Sequence, residues 1–156
     1  MGVFPSLLTA CSGFLLAVLW MDLIFDSQIG SAGRGGEQLP EPVLASIAGY
    51  YRRATTTSQP MSGLIAVVMA LLLGALVAEA VSGTSPAWLL GVSAVLAGGP
   101  VALALIRTVP NAVRLGRRIG TTAEQSRLAR GIYRDHIVCG VGMLAFLVLW
   151  LVWLGR

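Results

Sequence analysis

The sequence predicts an all-α fold, a four-helix transmembrane bundle with two short cytoplasmic interfacial helices. Three observations predict it. Four apolar runs cover residues 4–25, 62–81, 87–106 and 137–154, each about the length that crosses a hydrocarbon core as a helix. The runs are unbroken instead of alternating over ten residues, so helices and not a barrel satisfy the backbone in lipid. The basic residues, all eleven of them Arg, are sorted to one side. Arg34, Arg52 and Arg53 lie in the first connection, and Arg107, Arg114, Arg117, Arg118, Arg127, Arg130 and Arg134 in the third, leaving only Arg156 for the opposite side. The positive-inside rule then puts both long connections in the cytoplasm and both termini outside, in a plasma (inner) membrane. The chain reads as one integral membrane domain over 1–156.

The first run lacks a basic n-region and a small-residue cleavage site, so it is expected to be retained as the first span. The first connection opens with the flexible glycine-rich stretch 30–36 and a turn signal, Leu39-Pro40-Glu41-Pro42. Val43, Leu44, Ile47 and Tyr51 then recur at helical spacing, which predicts a helix over 43–55 lying at the interface, with Arg52 and Arg53 toward lipid head groups or a facing acid. Pro60 opens the second span, where a missing N–H costs nothing. The turn at Gly83-Thr84-Ser85-Pro86 is tight enough to make the second and third spans an antiparallel hairpin. Glu79, near that turn, is expected to reach water at the interface.

Gly98-Gly99-Pro100 predicts a kink or local unwinding in the third span. Past Pro110 the chain is basic and polar up to Gly120. Thr121-Thr122-Ala123-Glu124 has the pattern of a capping box, and the helix it starts, carrying Leu128, Ile132 and Tyr133, is expected to run through His136 into the fourth span. Trp88, Trp150 and Trp153 are placed as an aromatic anchor at the outer ends of the last two spans. Ala48-Gly49-Tyr50-Tyr51-Arg52-Arg53 and Ala129-Arg130-Gly131-Ile132-Tyr133-Arg134-Asp135 form a faint internal repeat, one copy before each returning span.

Several function classes are excluded. The net charge of +4 belongs to arginines beside spans, where they orient helices and meet anionic lipid; no recognition module accompanies it, so no nucleic-acid partner is expected. The two cysteines, Cys11 and Cys139, fall at different depths and form no C-x-x-C pair. No phosphate loop, H-E-x-x-H or G-x-S-x-G is present, and the sequence names no cofactor.

The candidate site is a polar layer. Asp22 and Asp26 share one face of the first helix near its cytoplasmic end. Arg107 and Asn111 on the third span, and Asp135 and His136 on the fourth, come to the same depth by topology alone. Ionisable groups at membrane depth mark function or pair with one another. Three readings stand: a salt-bridge layer with Arg107, Arg52 or Arg134 neutralising the first-span acids; a pocket in which His136 is an acid/base or ligand; or a metal site of Asp22, Asp26 and His136, which lacks a second His.

The layout also resembles the anthrone oxygenase-like family of small four-span membrane proteins. The residues that carry the resemblance are Val109-Pro110-Asn111 with Arg114-Leu115 at the end of the third span, Tyr133-Arg134-Asp135-His136 entering the fourth, and Leu39-Pro40 ahead of a small helix and a Pro-led second span. It covers most of the chain in layout and two short motifs in sequence, and the Asp22/Asp26 pair lies outside it. What it implies is an oxygenase-like enzyme acting on a lipophilic aromatic or quinone-like molecule. The residues it carries over are His136, which would move a proton, and Asn111, which would hold a carbonyl; the polar layer itself adds Asp22 to orient His136, with Asp26, Arg107 and Asp135 as binding residues. The alternative from the residues themselves is a non-catalytic accessory or scaffold subunit, with a membrane-protein partner or a second copy of the chain. A cavity separates the two, since an enzyme needs about 300 Å3 or more.

Overall fold

A computed structural model of the protein describes residues 2–32, 38–57 and 59–155. Residues 33–37, with Arg34, and Arg156 lie outside them, whereas Gly30 and Ser31 of the expected flexible stretch continue the first helix. The elements are α1 (Val3–Ser31), α2 (Glu41–Arg52), α3 (Gln59–Ser82), α4 (Ala87–Leu103), α5 (Val109–Gly116) and α6 (Thr122–Leu154), with no strand among the described residues. Among the described residues four stretches are long and apolar enough to cross a membrane: Val3–Ser31, Pro60–Ser82, Ala87–Gly116 and Thr122–Leu154. The protein is thus a multi-pass membrane bundle. Its helices outrun the apolar runs at the Arg-rich end, so the polar layer sits inside regular helices and not in loops.

Two apolar cores stack along the bundle. Near the Ser82–Pro86 turn, Leu8, Cys11 and Leu15 of α1 meet Leu72 and Leu76 of α3, Leu89 of α4, and Met143, Phe146 and Trp150 of α6. At the Arg-rich end, Ile29 and Leu39 meet Leu44, Ile47 and Tyr51 of α2, Ala112 and Leu115 of α5, and Ala129 and Ile132 of α6. The stripe that predicts α2 from sequence therefore packs on protein, and α2 closes the end of the bundle beneath α1, α5 and α6. Gly116 permits this approach: a Cβ there would stand 2.8 Å from the backbone N of Arg52.

α2 is joined to α3 by a widened, π-helical turn at Arg53–Thr57. Its threonines stabilise it by bonding back to the chain: Thr55 Oγ1 donates to Tyr51 O at 2.7 Å, and Thr56 Oγ1 to Arg52 O. Pro60 stands at the second residue of α3, as its missing donor requires.

The chain does not unwind at Pro100 itself. α4 runs through it to Leu103, and the irregular turn comes four residues later, at Ala104–Thr108, where the N–H of Val109 bonds to Ala104 O five residues back. That wide turn lets the helix continue past Pro110, which sits near the start of α5, where its missing N–H is tolerated. The chain after Pro110 is thus helical to Gly116 and not an irregular connection. The Pro100 ring instead packs on α6, where a Cβ on Gly142 would lie 2.9 Å from it.

The capping box forms. Glu124 N donates to Thr121 Oγ1 at 3.3 Å and Thr121 N to Glu124 Oε2 at 2.7 Å, starting a single α6 that carries His136 into the apolar run. Trp88 and Trp153 meet edge to face at the turn end, with ring centroids 6.2 Å apart. Trp150 is no anchor. It is fully buried in the turn-end core, and its indole N–H donates to Ser93 Oγ of α4 at 3.0 Å.

Candidate functional site

Between the two cores, α1, α2 and α6 bring together Asp22, Asp26, Tyr50, Tyr51 and His136. Asp26 is 0 % exposed and His136 6 %. His136 Nδ1 lies 2.7 Å from Asp26 Oδ2, while Tyr51 Oη donates to Asp26 Oδ1 at 2.6 Å. Both oxygens of Asp26 are thus engaged, one by the Nδ1 side of the imidazole and the other by the Tyr51 phenol. Nε2 then faces Asp22, whose Oδ2 is 3.9 Å away, beyond a direct hydrogen bond. Asp22 in turn accepts from Tyr50 Oη at 2.5 Å, and Tyr50 stacks on Phe25 with centroids 4.1 Å apart.

The periodicity of two helices explains the geometry. Asp22 and Asp26 are one turn apart, so both reach α6. Tyr50 and Tyr51 are adjacent on α2, and each meets a different acid. Burial, and next the Asp22 carboxylate that accepts its hydrogen bond, push the Tyr50 phenol up from its ordinary range; burial and the charge of Asp26 do the same to Tyr51. Both phenols therefore stay neutral donors.

The structure rearranges the expected partnerships. Arg107 does not neutralise the first-span acids: its Nε lies 3.3 Å from Asp135 Oδ2, and Thr108 Oγ1 donates to the same oxygen at 3.3 Å. Asp135 and His136 are neighbours in sequence but about 100° apart around α6, so Asp135 turns to the wide turn at Ala104–Thr108 while His136 turns to α1 and α2. Asp26, not Asp22, holds the imidazole. Asn111 is not part of this cluster. One turn beyond Arg107, it faces the side of α6 that carries Gly131 and Leu128, and with them lines a recess of about 220 Å3. The metal reading finds no support in the arrangement, where the contacts of Asp26 and His136 are hydrogen bonds to each other and to tyrosine; among the described residues no three His, Cys, Asp or Glu side chains are gathered for a metal ion.

Tyr50 and Tyr51 are the residues that sequence reasoning missed. A signal existed: Tyr51 falls in the buried stripe of α2, and a buried phenol needs an acceptor. Glu79 does not reach water as its place near the turn predicts. It is buried, because Thr84 and Ser85 of the turn fold back and donate to its Oε1 at 2.6 Å each. Beside it, a recess of about 680 Å3 opens at the turn end, walled by Phe4, Pro5 and Trp153. Cys11 and Cys139 are buried free thiols. No protein-family model, curated protein or solved structure matches the chain.

Proposed function

We propose that this chain is a non-catalytic subunit or scaffold of a membrane assembly, seated in a plasma membrane with its Arg-rich end in the cytoplasm, and that the Asp22–Asp26–His136 network locks α2 under the bundle. One observation carries this reading: the His136 ring is enclosed by Asp26, Asp22 and Tyr51, and the two recesses described above are lined by other residues. A proton-transfer catalyst needs its ring nitrogen within reach of substrate. Here Nδ1 is engaged by Asp26 and Nε2 faces a carboxylate. A lock needs the opposite, full enclosure and satisfied partners. The outward face of α3 also suits assembly. Ala66, Ala70 and Gly74 recur every four residues and are exposed, and nothing stands within 4 Å of a Cβ built on Gly74. Small residues at that spacing let a second membrane helix approach closely.

The oxygenase-type enzyme implied by the sequence resemblance is the second reading. The His136–Asp26 hydrogen bond favours it, since a base oriented by a carboxylate is a recurring catalytic arrangement. The deciding experiment is extraction in mild detergent with native mass spectrometry, on wild type, Ala70→Leu and His136→Ala. The scaffold reading expects an oligomer or hetero-complex that Ala70→Leu dissociates while the protein stays folded. A lipophilic aromatic or quinone-like molecule retained by wild type and lost from His136→Ala would overturn it in favour of the enzyme.

A further inference from the structure

The recess on the other side of α6 has its own chemistry. Arg107, Asn111 and Arg114 project from the α4–α5 helix at intervals of four and three residues, and Arg127 faces them from α6 across Gly131. Three guanidinium groups and an amide thus converge on about 220 Å3. Among the described residues one carboxylate, Glu124, lines the same space, and its Oε2 already accepts from Thr121 N and Oγ1. Arg107 is anchored through its Nε by Asp135, which fixes the fork and leaves its terminal nitrogens at the recess; Nη2 lies 3.6 Å from where a Gly131 Cβ would stand. The bare Gly131 keeps the floor open.

We infer that this recess binds a phosphate group. Planar guanidinium forks match phosphate oxygens in pairs, which gives geometry as well as charge. The volume is below the ~300–1,000 Å3 of sites for drug-sized molecules, so it suits a compact anion and not a polycyclic aromatic. Its position suits a lipid headgroup: Arg107 ends the third apolar run, and the adjoining Leu105, Ile106 and Val138 are exposed apolar side chains, Ile106 at 79 %, along which acyl chains can lie. Basic pockets between transmembrane helices bind headgroups in this way. A free phosphorylated molecule would use the same groups. This inference does not depend on the scaffold reading, because none of its residues belongs to the lock.

The test uses the full chain, delipidated in neutral detergent and titrated separately with short-chain phosphatidylglycerol, short-chain phosphatidylcholine and inorganic phosphate. Binding is read by native mass spectrometry and calorimetry. One saturable site is expected. Saturation by phosphatidylglycerol alone assigns the headgroup; saturation by inorganic phosphate assigns a free phosphate species; either supports the site. The double variant Arg114→Gln/Arg127→Gln should weaken binding roughly tenfold or more, and Gly131→Leu, which fills the recess, should do the same. The charge-matched control Arg117→Gln/Arg134→Gln, exposed arginines outside the recess, should stay within about twofold. Arg107 is left intact because its loss would strand Asp135. Absence of a saturable site, equal binding of phosphatidylcholine and phosphatidylglycerol with no response to phosphate, or an equal loss in the control would overturn the inference.

Discussion

Asp26 carries more of the lock than any other single side chain. It is fully buried and accepts from both His136 and Tyr51. Asp26→Ala therefore leaves two buried polar groups without their acceptor and should cost about 3–5 kcal/mol of stability, read by unfolding in mixed detergent micelles. Tyr50→Phe removes one hydrogen bond to the less enclosed Asp22 and should cost about 0.6–1.7 kcal/mol. If both variants cost the same, the division of roles between the two acids is wrong. The tyrosines also set an alkaline limit. Their phenol pKa values are raised in the folded chain, by burial first and by the neighbouring acids next. The folded state then holds protons that the unfolded state releases, so stability is fully present below the ordinary phenol value and falls as pH rises above about 10. Tyr51→Phe should flatten that alkaline slope, and an unchanged slope would remove Tyr51 as its source. The acids and His136 were legible in the sequence because charge is conspicuous in an apolar run. Their pairing was not: adjacent residues on a helix diverge by about 100°, and which helix each then meets depends on packing that no single segment encodes.

Glycines distinguish the helix faces at the scale of the elements. Gly116 lies against the backbone of Arg52, whereas Gly74 has open space where a Cβ would be. Gly116→Ala should separate α2 from α5 and cost about 1–3 kcal/mol. Gly74→Ala should be neutral or stabilise by up to about 1 kcal/mol, as for a glycine inside an exposed helix. Thermal unfolding of the two variants in detergent checks both, and a reversed order would refute the packing of α2 on α5. The elements themselves were largely readable. Apolar length gave the four spans, Thr121 and Glu124 gave the start of α6, and the Leu44, Ile47 and Tyr51 stripe gave α2. What was not readable was the response to proline. The sequence marks Pro100 and Pro110 as points of strain, but the chain relieves it between them, at Ala104–Thr108, because a wide turn there serves the missing donor of Pro110 while the Pro100 ring finds a bare Gly142 to rest on.

For the whole molecule, the arginine asymmetry makes a topological prediction. Cysteine introduced at Arg117, at the Arg-rich end, should label only after the membrane is opened, and cysteine introduced at Ala87, at the turn end, should label from outside; Cys11 and Cys139 are buried and supply little background. Labelling of both positions from one side would contradict the four-span arrangement itself. The lock also bears on how the chain is made. Its acids lie on the first helix and its histidine on the last, 110 residues apart between Asp26 and His136. At ribosomal speeds of about 5–20 residues per second, the acids wait on the order of 5–20 s for their partner. Held at mid-bilayer for that interval, each would cost about 2.5–3.5 kcal/mol. Placed at the end of α1, they can stay hydrated at the membrane surface until α6 arrives and draws them inward. A nascent chain halted before residue 136 would carry unsealed acids, a mark by which membrane quality control can tell an unfinished protein from a finished one.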